Sequence, residues 1–321
     1  MSLFRRIDPF LLGIAVAVAA AFAAPWIGQS DGVLAMGRVT DIGVALVFFL
    51  HGAALSPASL RSAMGSWQLH LLIQASTFVL FPLIGLAVWY GMPGLLGPEL
   101  RIGFFFLCAI SSTISSSVAM TALGRGNVAG AIFNATLSGL LGMVLTPLLL
   151  GLVMAGQAAS LPLADQITGI FSKLLLPFAL GQLLRVPLAG WMARHKPFVG
   201  KADRAVILLI VYVAFCDAAA SALWTGANML AIGIVLLLCS ALLALVLTLT
   251  RAAARALGFS VEDEIAAVFC GSKKSLANGA PIAKVIFGAT PALSMVLVPL
   301  LLYHQLQLVV CSVIARRYAD R

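Results

Sequence analysis

Cys270-Gly271-Ser272-Lys273-Lys274-Ser275-Leu276-Ala277-Asn278-Gly279-Ala280-Pro281 stands in the middle of an otherwise apolar segment, 263–287. Its two adjacent lysines decide how the chain is read. A lysine at the centre of a lipid bilayer costs about 2.5–3.5 kcal/mol even on the lower, insertion-derived scale. Two neighbours are badly placed to snorkel together, so they are expected to face water, an anion or a carboxylate. Gly271, Gly279 and Pro281 weaken a continuous helix here. The other reading puts the lysines in a cytoplasmic loop between two shorter spans, but it leaves 263–287 too short to cross and spoils the charge asymmetry below. The string from Gly271 to Ser275 does not meet the GxxxxGK[ST] pattern, so nucleotide hydrolysis is discarded.

A second polar stretch interrupts an apolar segment at Ser111-Ser112-Thr113-Ile114-Ser115-Ser116-Ser117, followed by Met120-Thr121-Ala122-Leu123-Gly124-Arg125-Gly126-Asn127. One reading is small residues for tight helix packing, each hydroxyl bonded back one turn. The cluster as a whole favours an unwound backbone lining a polar cavity, because such backbone is tolerated at membrane depth only where protein or water surrounds it.

The rest of the chain explains why membrane depth is the frame. Of 321 residues, 62% are hydrophobic and 10% charged, whereas a soluble domain is about a quarter charged. Apolar runs such as Val206–Phe215 and Met229–Leu249 are long and unbroken, unlike the roughly ten-residue alternating strands of a membrane β-barrel. A span needs about 20 apolar residues. Ten segments meet that need, near 9–27, 38–56, 67–91, 100–123, 127–155, 163–187, 203–223, 228–256, 263–287 and 290–316. The fold expected is an all-α polytopic membrane protein, one membrane domain over 1–321. Its fourth and ninth segments are broken.

The net charge of +9 is scattered over short loops without an aromatic-interleaved patch, so nucleic acid is set aside as a partner. Arg38, Arg101, Lys173 and Lys284 fall on one side. The other Lys and Arg residues, from Arg5 and Arg6 through Arg61, Arg125 and the 185–204 loop to Arg316, Arg317 and Arg321, fall on the opposite side; Lys273 and Lys274 are left out of the comparison. This asymmetry puts both termini in the cytoplasm of an inner (plasma) membrane protein. Arg5, Arg6 and the run ending Ala20-Ala21-Phe22-Ala23-Ala24 imitate a cleavable signal peptide, but the further spans favour an uncleaved first one. The spans divide into repeats of about 1–156 and 163–317. Each holds five spans, an odd number, so the second must enter the membrane inverted, as is common in secondary transporters. Cys108, Cys216, Cys239, Cys270 and Cys311 form no CxxC pair and read as buried small hydrophobes, with neither a disulfide framework nor a transition-metal site.

Broken helices present N–H groups and partial positive charge at N-terminal ends, which favour anions. Their free carbonyls and nearby hydroxyls can replace the water around Na⁺. The residues therefore suggest a midplane anion site from Lys273, Lys274, Ser272, Ser275, Asn278 and Ser115, beside a cation site. Asp217, inside the seventh segment, either serves as a proton or charge partner of Lys273 or Lys274, or sits protonated against a neighbouring helix. His51 and His304 read as packing histidines. Glu262, Asp263 and Glu264 complement a helix dipole. Two functions follow, a Na⁺-coupled symporter of a small organic anion, and a cation/proton exchanger or proton-coupled transporter using the lysines. An intramembrane enzyme ranks last, since HExxH, a CxxC metal set and a nucleophile elbow are missing. No cofactor is expected beyond Na⁺ as coupling ion. The partners are the anion, Na⁺ or H⁺, and the lipid bilayer.

Three stretches carry a resemblance: Phe48-Phe49-Leu50-His51-Gly52 with Leu55-Ser56-Pro57, Ser115 to Asn127, and Gly271 to Pro281. In their order and spacing the chain resembles the bile acid:sodium symporter family, in its SBF-like branch, over nearly its whole length. The resemblance implies ten helices in two inverted five-helix repeats with crossing broken helices at segments 4 and 9. It implies a core of segments 3–5 and 8–10, a panel of segments 1, 2, 6 and 7, and uptake of organic anions with Na⁺ as core moves against panel. It suggests Ser116, Ser117, Asn134, Thr136 and Ser138 as Na⁺ ligands, with Gln74 or Thr77 from the third helix. The sequence departs from the better-known members at the second crossing. Their glutamate and glutamine fall near Cys270 and Lys274, which puts the coupling ion in question. A lysine ammonium can itself occupy a cation's place and give up its proton when Na⁺ enters.

Overall fold

The computed structural model of the protein describes residues 9–54, 66–154, 168–169, 171–220, 226–288, 290 and 292–321. Arg5, Arg6 and Arg61, the Leu55-Ser56-Pro57 motif and the junction between the expected repeats lie outside the described residues. Those described are helical, with no strand among them. The helices are α1 (Pro9–Ala23), a one-turn α2 (Pro25–Gly28), α3 (Met36–Ala54), α4 (Trp67–Gly91), α5 (Pro98–Ala109), α6 (Ser115–Leu123), α7 (Val128–Met154), α8 (Phe171–Leu183), α9 (Arg185–Arg194), α10 (Lys196–Ala219), α11 (Gly226–Ala256), α12 (Val261–Gly271), α13 (Leu276–Phe287) and α14 (Ala292–Ala319).

Among the described residues, α3, α4, α7, the Leu230–Ala256 part of α11, and α14 are each long and apolar enough to cross a bilayer alone. The pair α8 and α9, bent by 89°, makes a sixth if taken as one broken span. Only a helix satisfies its own backbone in lipid, which is why the long apolar runs take this form. The chain is a polytopic all-helical membrane protein. The ten-segment inverted layout remains an expectation from the sequence: α1 is short, α10 carries Asp203, Arg204 and Asp217, and the fourth and ninth segments are each split into two helices.

Two compact units emerge. Unit 1 contains Met1–Leu55, Leu161–Met229 and Ala280–Leu297; unit 2 contains Ser56–Ser160, Leu230–Gly279 and Val298–Arg321. In unit 1, α3 and α8 meet backbone to backbone. A Cβ on Gly52 would lie 2.1 Å from the Phe178 carbonyl oxygen, and one on Gly181 would lie 2.0 Å from that of Phe49. Small residues allow this approach where lipid offers no hydrophobic drive to pack helices. His51 Nε2 lies 3.6 Å from Asp203 and joins α3 to α10. Ser30 donates to Asp217 from its backbone N–H at 2.8 Å and from its hydroxyl at 2.6 Å, which ties the loop after α2 to α10.

In unit 2, α4 widens into a π-turn over Ser76–Leu80, where Phe81 N–H donates to Ser76 O, five residues back. The residue one step on, Pro82, has no N–H to give to Thr77 O, so this carbonyl is left without a helical donor. The start of α12 is capped by Ser260, whose hydroxyl accepts from Asp263 N–H. The acids expected to complement this helix dipole also form a network. Glu264 accepts from Arg251 Nε at 3.1 Å, Arg255 Nε at 2.8 Å and the Tyr318 hydroxyl at 2.6 Å, and Asp263 accepts from Asn127.

The two interruptions also belong to unit 2. The first is the extended backbone between α5 and α6, opening at Ile110 with φ −76° and ψ 163°. The second is the stretch 272–275 between α12 and α13. Gly279 and Pro281, read from sequence as helix-weakening, lie inside α13. Pro281 withholds the N–H that would bond to Ala277 O, and Gly279 admits Leu300, which would stand 2.6 Å from a Cβ there.

Candidate functional site

A helix that stops inside a membrane leaves its last carbonyls without donors, and each must be paired. The carbonyls of α12 are met by four hydroxyls. Val268 O accepts from Ser272 at 2.6 Å, Phe269 O from Ser117 at 3.2 Å, Cys270 O from Ser112 at 2.6 Å and Gly271 O from Ser76 at 2.8 Å. One residue further, Ser272 O accepts from the Tyr303 hydroxyl at 2.7 Å. Gln307 pairs with both backbone groups of Lys274, accepting from its N–H and donating to its carbonyl, each at 2.8 Å.

The end of α5 is satisfied differently. Ala109 O accepts from Thr146 at 2.9 Å, and Ser111 O from the N–H of Ser275 at 2.9 Å, so the two interruptions bond directly. A Cβ on Gly142 would come within 2.6 Å of the Ser111 Cβ, and the missing side chain lets this backbone lie against α7. Cys108 O and Ile110 O accept from the Lys274 ammonium at 2.9 and 2.7 Å, and Thr77 O, the carbonyl freed by the π-turn, accepts from the same nitrogen at 3.0 Å. The Phe81 ring covers it, with its centroid 4.0 Å away. An ammonium has three N–H donors, and each finds one carbonyl here. Lys273 donates to Ser116 O at 2.7 Å and stands 5.5 Å from the Phe269 ring centre. Both lysines are 0% exposed. They were expected to face water, an anion or a carboxylate. They face backbone carbonyls and ring faces instead, because helix ends and a π-turn supply partial negative charge without a carboxylate.

The comparisons with known proteins bear on this arrangement. The model of the SBF-like CPA transporter family matches residues 8–320. The chain belongs to that family. It is therefore a membrane transporter by family. Among its relatives are the uncharacterized protein PA2026 of Pseudomonas aeruginosa, 47% identical over 98% of this chain and 93% of the relative, and the Escherichia coli K12 protein named "Putative symporter YfeH", 42% identical over 99% and 95%. Sodium/bile acid cotransporter 7 of Xenopus tropicalis is 33% identical over 98% and 93%. Family membership agrees with the resemblance read from the three motif stretches.

The residues singled out from sequence fall into three groups. Ser116, Ser117, Ser272, Lys273, Lys274, Ser275 and Asn278 come together at the interruptions, where Asn278 Nδ2 donates to the Ser111 hydroxyl at 2.9 Å and the Ser275 hydroxyl accepts from Asn278 N–H. Ser138 joins them by accepting from Ser112 N–H at 2.9 Å. Thr77 takes part through its carbonyl, while its hydroxyl bonds back to Ile73 O. Gln74 and Asn134 form a second cluster. Gln74 Nε2 donates to Asn134 Oδ1 at 3.2 Å and to its carbonyl at 3.1 Å, and Asn134 Nδ2 donates to His70 Nδ1 at 2.8 Å. Gln74 Oε1 and the Ser116 hydroxyl are buried with no partner among the described residues. Ser115 and Thr136 stand apart: Ser115 is exposed, and Thr136 is half-buried with its hydroxyl bonded back to Ile132 O in its own helix. Asp217 takes its two hydrogen bonds from Ser30 in unit 1.

Ser76, Ser112, Tyr303, Gln307 and the carbonyls of Thr77, Cys108 and Ile110 were not singled out from sequence. Gln307, which with Gln305 places two amides in the apolar run of α14, was a readable signal. So was Pro82, five residues after Thr77. The carbonyls carry no sequence signal, since every residue has one.

Proposed function

We propose that the protein is a secondary transporter that carries a small organic anion by alternating access, and that its second interruption works with a tethered cation in place of a bound one. The observation that carries this reading is the Lys274 ammonium held by three carbonyl oxygens at 2.7–3.0 Å. Such a cage, made of helix ends and unwound backbone, has the chemistry that coordinates Na⁺ in broken-helix transporters. The lysine fills it with a charge the protein cannot lose by dissociation, only by deprotonation. Na⁺ coupling remains part of the proposal at the other cluster, where Gln74 Oε1 is a buried acceptor with no donor among the described residues, beside Asn134. The family and its relatives named as symporters or cotransporters support symport, and the sodium and bile acid in one relative's name support a cation and an organic anion as cargo. Under this reading Lys273, Ser272, Ser275 and Asn278 remain the candidates for the anion, and Ser115 stands apart from them. The inner-membrane location, cytoplasmic termini, inverted repeats and core-and-panel division stay with the proposal.

Purified full-length protein tests it through Na⁺-dependent thermal stabilisation at several pH values. Wild type is expected to show one Na⁺ response, lost in Asn134→Ala. Lys274→Met empties the cage without adding a charge, so it should gain a further Na⁺-dependent stabilisation. A Na⁺ response in Lys274→Met identical to wild type at every pH refutes the tethered-cation reading.

A further inference from the structure

Within unit 2, α11, α12 and α14 enclose a recess of about 310 Å³, lined by Leu247, Val268 and Ile314 together with Arg251, Arg317 and Tyr318. It lies at one end of two membrane spans. The 27 residues of Leu230–Ala256 rise about 40 Å, about 10 Å more than the hydrocarbon of a bilayer is thick. Arginine is costly in hydrocarbon, so the turn that carries Arg251 and Arg255 is the end that emerges among the headgroups. The lipid-facing surface changes character at this level. Val309 and Val313 on α14 are 62% and 48% exposed, and Arg317 follows four residues on, on the same helix face. On α11 the exposed Leu245 and Leu249 precede Arg251 and Arg255 in the same way.

The charges around the recess do not balance. Buried Glu264 accepts from Nε of both Arg251 and Arg255 and from the Tyr318 hydroxyl, and the Arg251 guanidinium stands 5.7 Å from the Tyr318 ring centre. These bonds fix the two arginines yet use only their Nε atoms. Among the described residues their terminal amino groups meet no acceptor, and exposed Arg317 meets neither an acid nor a carbonyl. One buried carboxylate calls for one counter-charge, and three arginines stand around this one. The neighbouring acids are turned elsewhere, Glu262 to Arg321 at 3.1 Å and Asp263 to Asn127 at 2.7 Å. The start of α12 and the ends of α6, α11 and α14, with the residues adjoining them, carry six arginines against four acids, which leaves two positive charges over the whole end. Basic residues also complement the C-terminal dipoles of α11 and α14, but that role calls for neither a recess nor a second arginine on Glu264.

We infer that this recess is a binding site for an anionic phospholipid of the surrounding bilayer. Its phosphodiester accepts from the terminal amino groups of Arg251 and from Arg317, whose planar forks suit phosphate oxygens, while an acyl chain lies along Val309 and Val313. Basic pockets between membrane helices recognise lipid headgroups by this chemistry. A zwitterionic headgroup brings its own ammonium against the surplus positive charge and is the weaker ligand. Free phosphate shares the headgroup chemistry but lacks the chains that the apolar lining and the exposed valines match. The ligand is a resident lipid on the perimeter of unit 2 and not cargo, so the inference goes beyond the transport reading and holds whatever ion drives the interruptions.

Thermal melts of the full-length protein in detergent, titrated with dioleoyl phosphatidylglycerol, dioleoyl phosphatidylcholine or inorganic phosphate, test it. Wild type is expected to be stabilised saturably by phosphatidylglycerol, far less by phosphatidylcholine and not by phosphate. Arg317→Gln should raise the phosphatidylglycerol mole fraction giving half the effect about fivefold, the ratio equivalent to about 1 kcal/mol for one basic residue at a membrane surface. Arg317→Lys should keep most of the response. Arg316→Gln removes the same charge one residue outside the recess and should do clearly less than Arg317→Gln. Ile314→Trp fills the recess without changing charge and should weaken the response. Lys274→Met should leave it unchanged, which separates this site from the tethered-cation proposal. Equal stabilisation by the two lipids, reproduction of the effect by inorganic phosphate, or equal losses in Arg316→Gln and Arg317→Gln would each overturn the inference, the last by reducing it to general surface attraction. If Arg317→Gln does not fold, an undiminished response in Ile314→Trp overturns it as well.

Discussion

The two interruptions of unit 2 solve one problem with opposite chemistry. The first, between α5 and α6, is rich in hydroxyls and carries no charge; the second, between α12 and α13, carries Lys273 and Lys274. Yet the carbonyls of α12 are covered by hydroxyls, two of them, Ser112 and Ser117, sent from the first interruption, while Cys108 O and Ile110 O at the first are covered by the lysine sent from the second. Each break lends the other the donors it lacks. Hydroxyls travel one way and positive charge the other. A hydroxyl can bond to a single carbonyl and leave no net charge, whereas an ammonium gathers three at once and fixes a cation in place. The asymmetry is what makes the second interruption a candidate for ion coupling and the first its support.

That contrast is open to direct attack. Lys274→Met leaves three buried carbonyls without a donor, and an unsatisfied buried group costs about 1–3 kcal/mol. It should produce the greatest loss of thermal stability in detergent of any variant considered, partly recovered by added Na⁺, together with loss of transport. Ser112→Ala orphans Cys270 O alone and should cost about 1–3 kcal/mol, seen as a smaller drop in melting temperature that Na⁺ does not restore. Lys273→Met removes one bond, to Ser116 O, and should weaken transport while lowering stability by about 1–2 kcal/mol. Thr136→Ala lies at the other extreme. Its exposed hydroxyl serves only its own helix, so melting temperature and Na⁺ response should stay within experimental error. Equal destabilisation by Lys274→Met and Ser112→Ala would mean that charge and hydroxyl do the same job at the two ends.

Much of this was legible without coordinates. The lysine pair in an apolar segment, the six hydroxyls of Ser111–Ser117 and the breaks they mark are visible as violations of the rule that spans are apolar. Gln74 and Asn134, suggested as ligands through the family resemblance, do meet. Thr136, suggested on the same ground, spends its hydroxyl on Ile132 O in its own helix. The capping role of Ser76, Ser112, Ser117 and Ser272 was not legible. A serine near a break looks the same whether it awaits an ion or closes a carbonyl.

Composition alone determined the solvent and the element: with so few charges and such long apolar runs, lipid and helix follow from the cost of exposing apolar surface to water and unpaired backbone to hydrocarbon. It also located the two interruptions, since hydroxyls and lysines at membrane depth cannot pass unnoticed. Tertiary structure decided what those groups face. The cage around Lys274 is made of carbonyls from Thr77, Cys108 and Ile110, on two different stretches of chain and some 160 to 200 residues away in sequence. Backbone carbonyls are common to every residue and become a site only where a π-turn and a helix end aim them at one point.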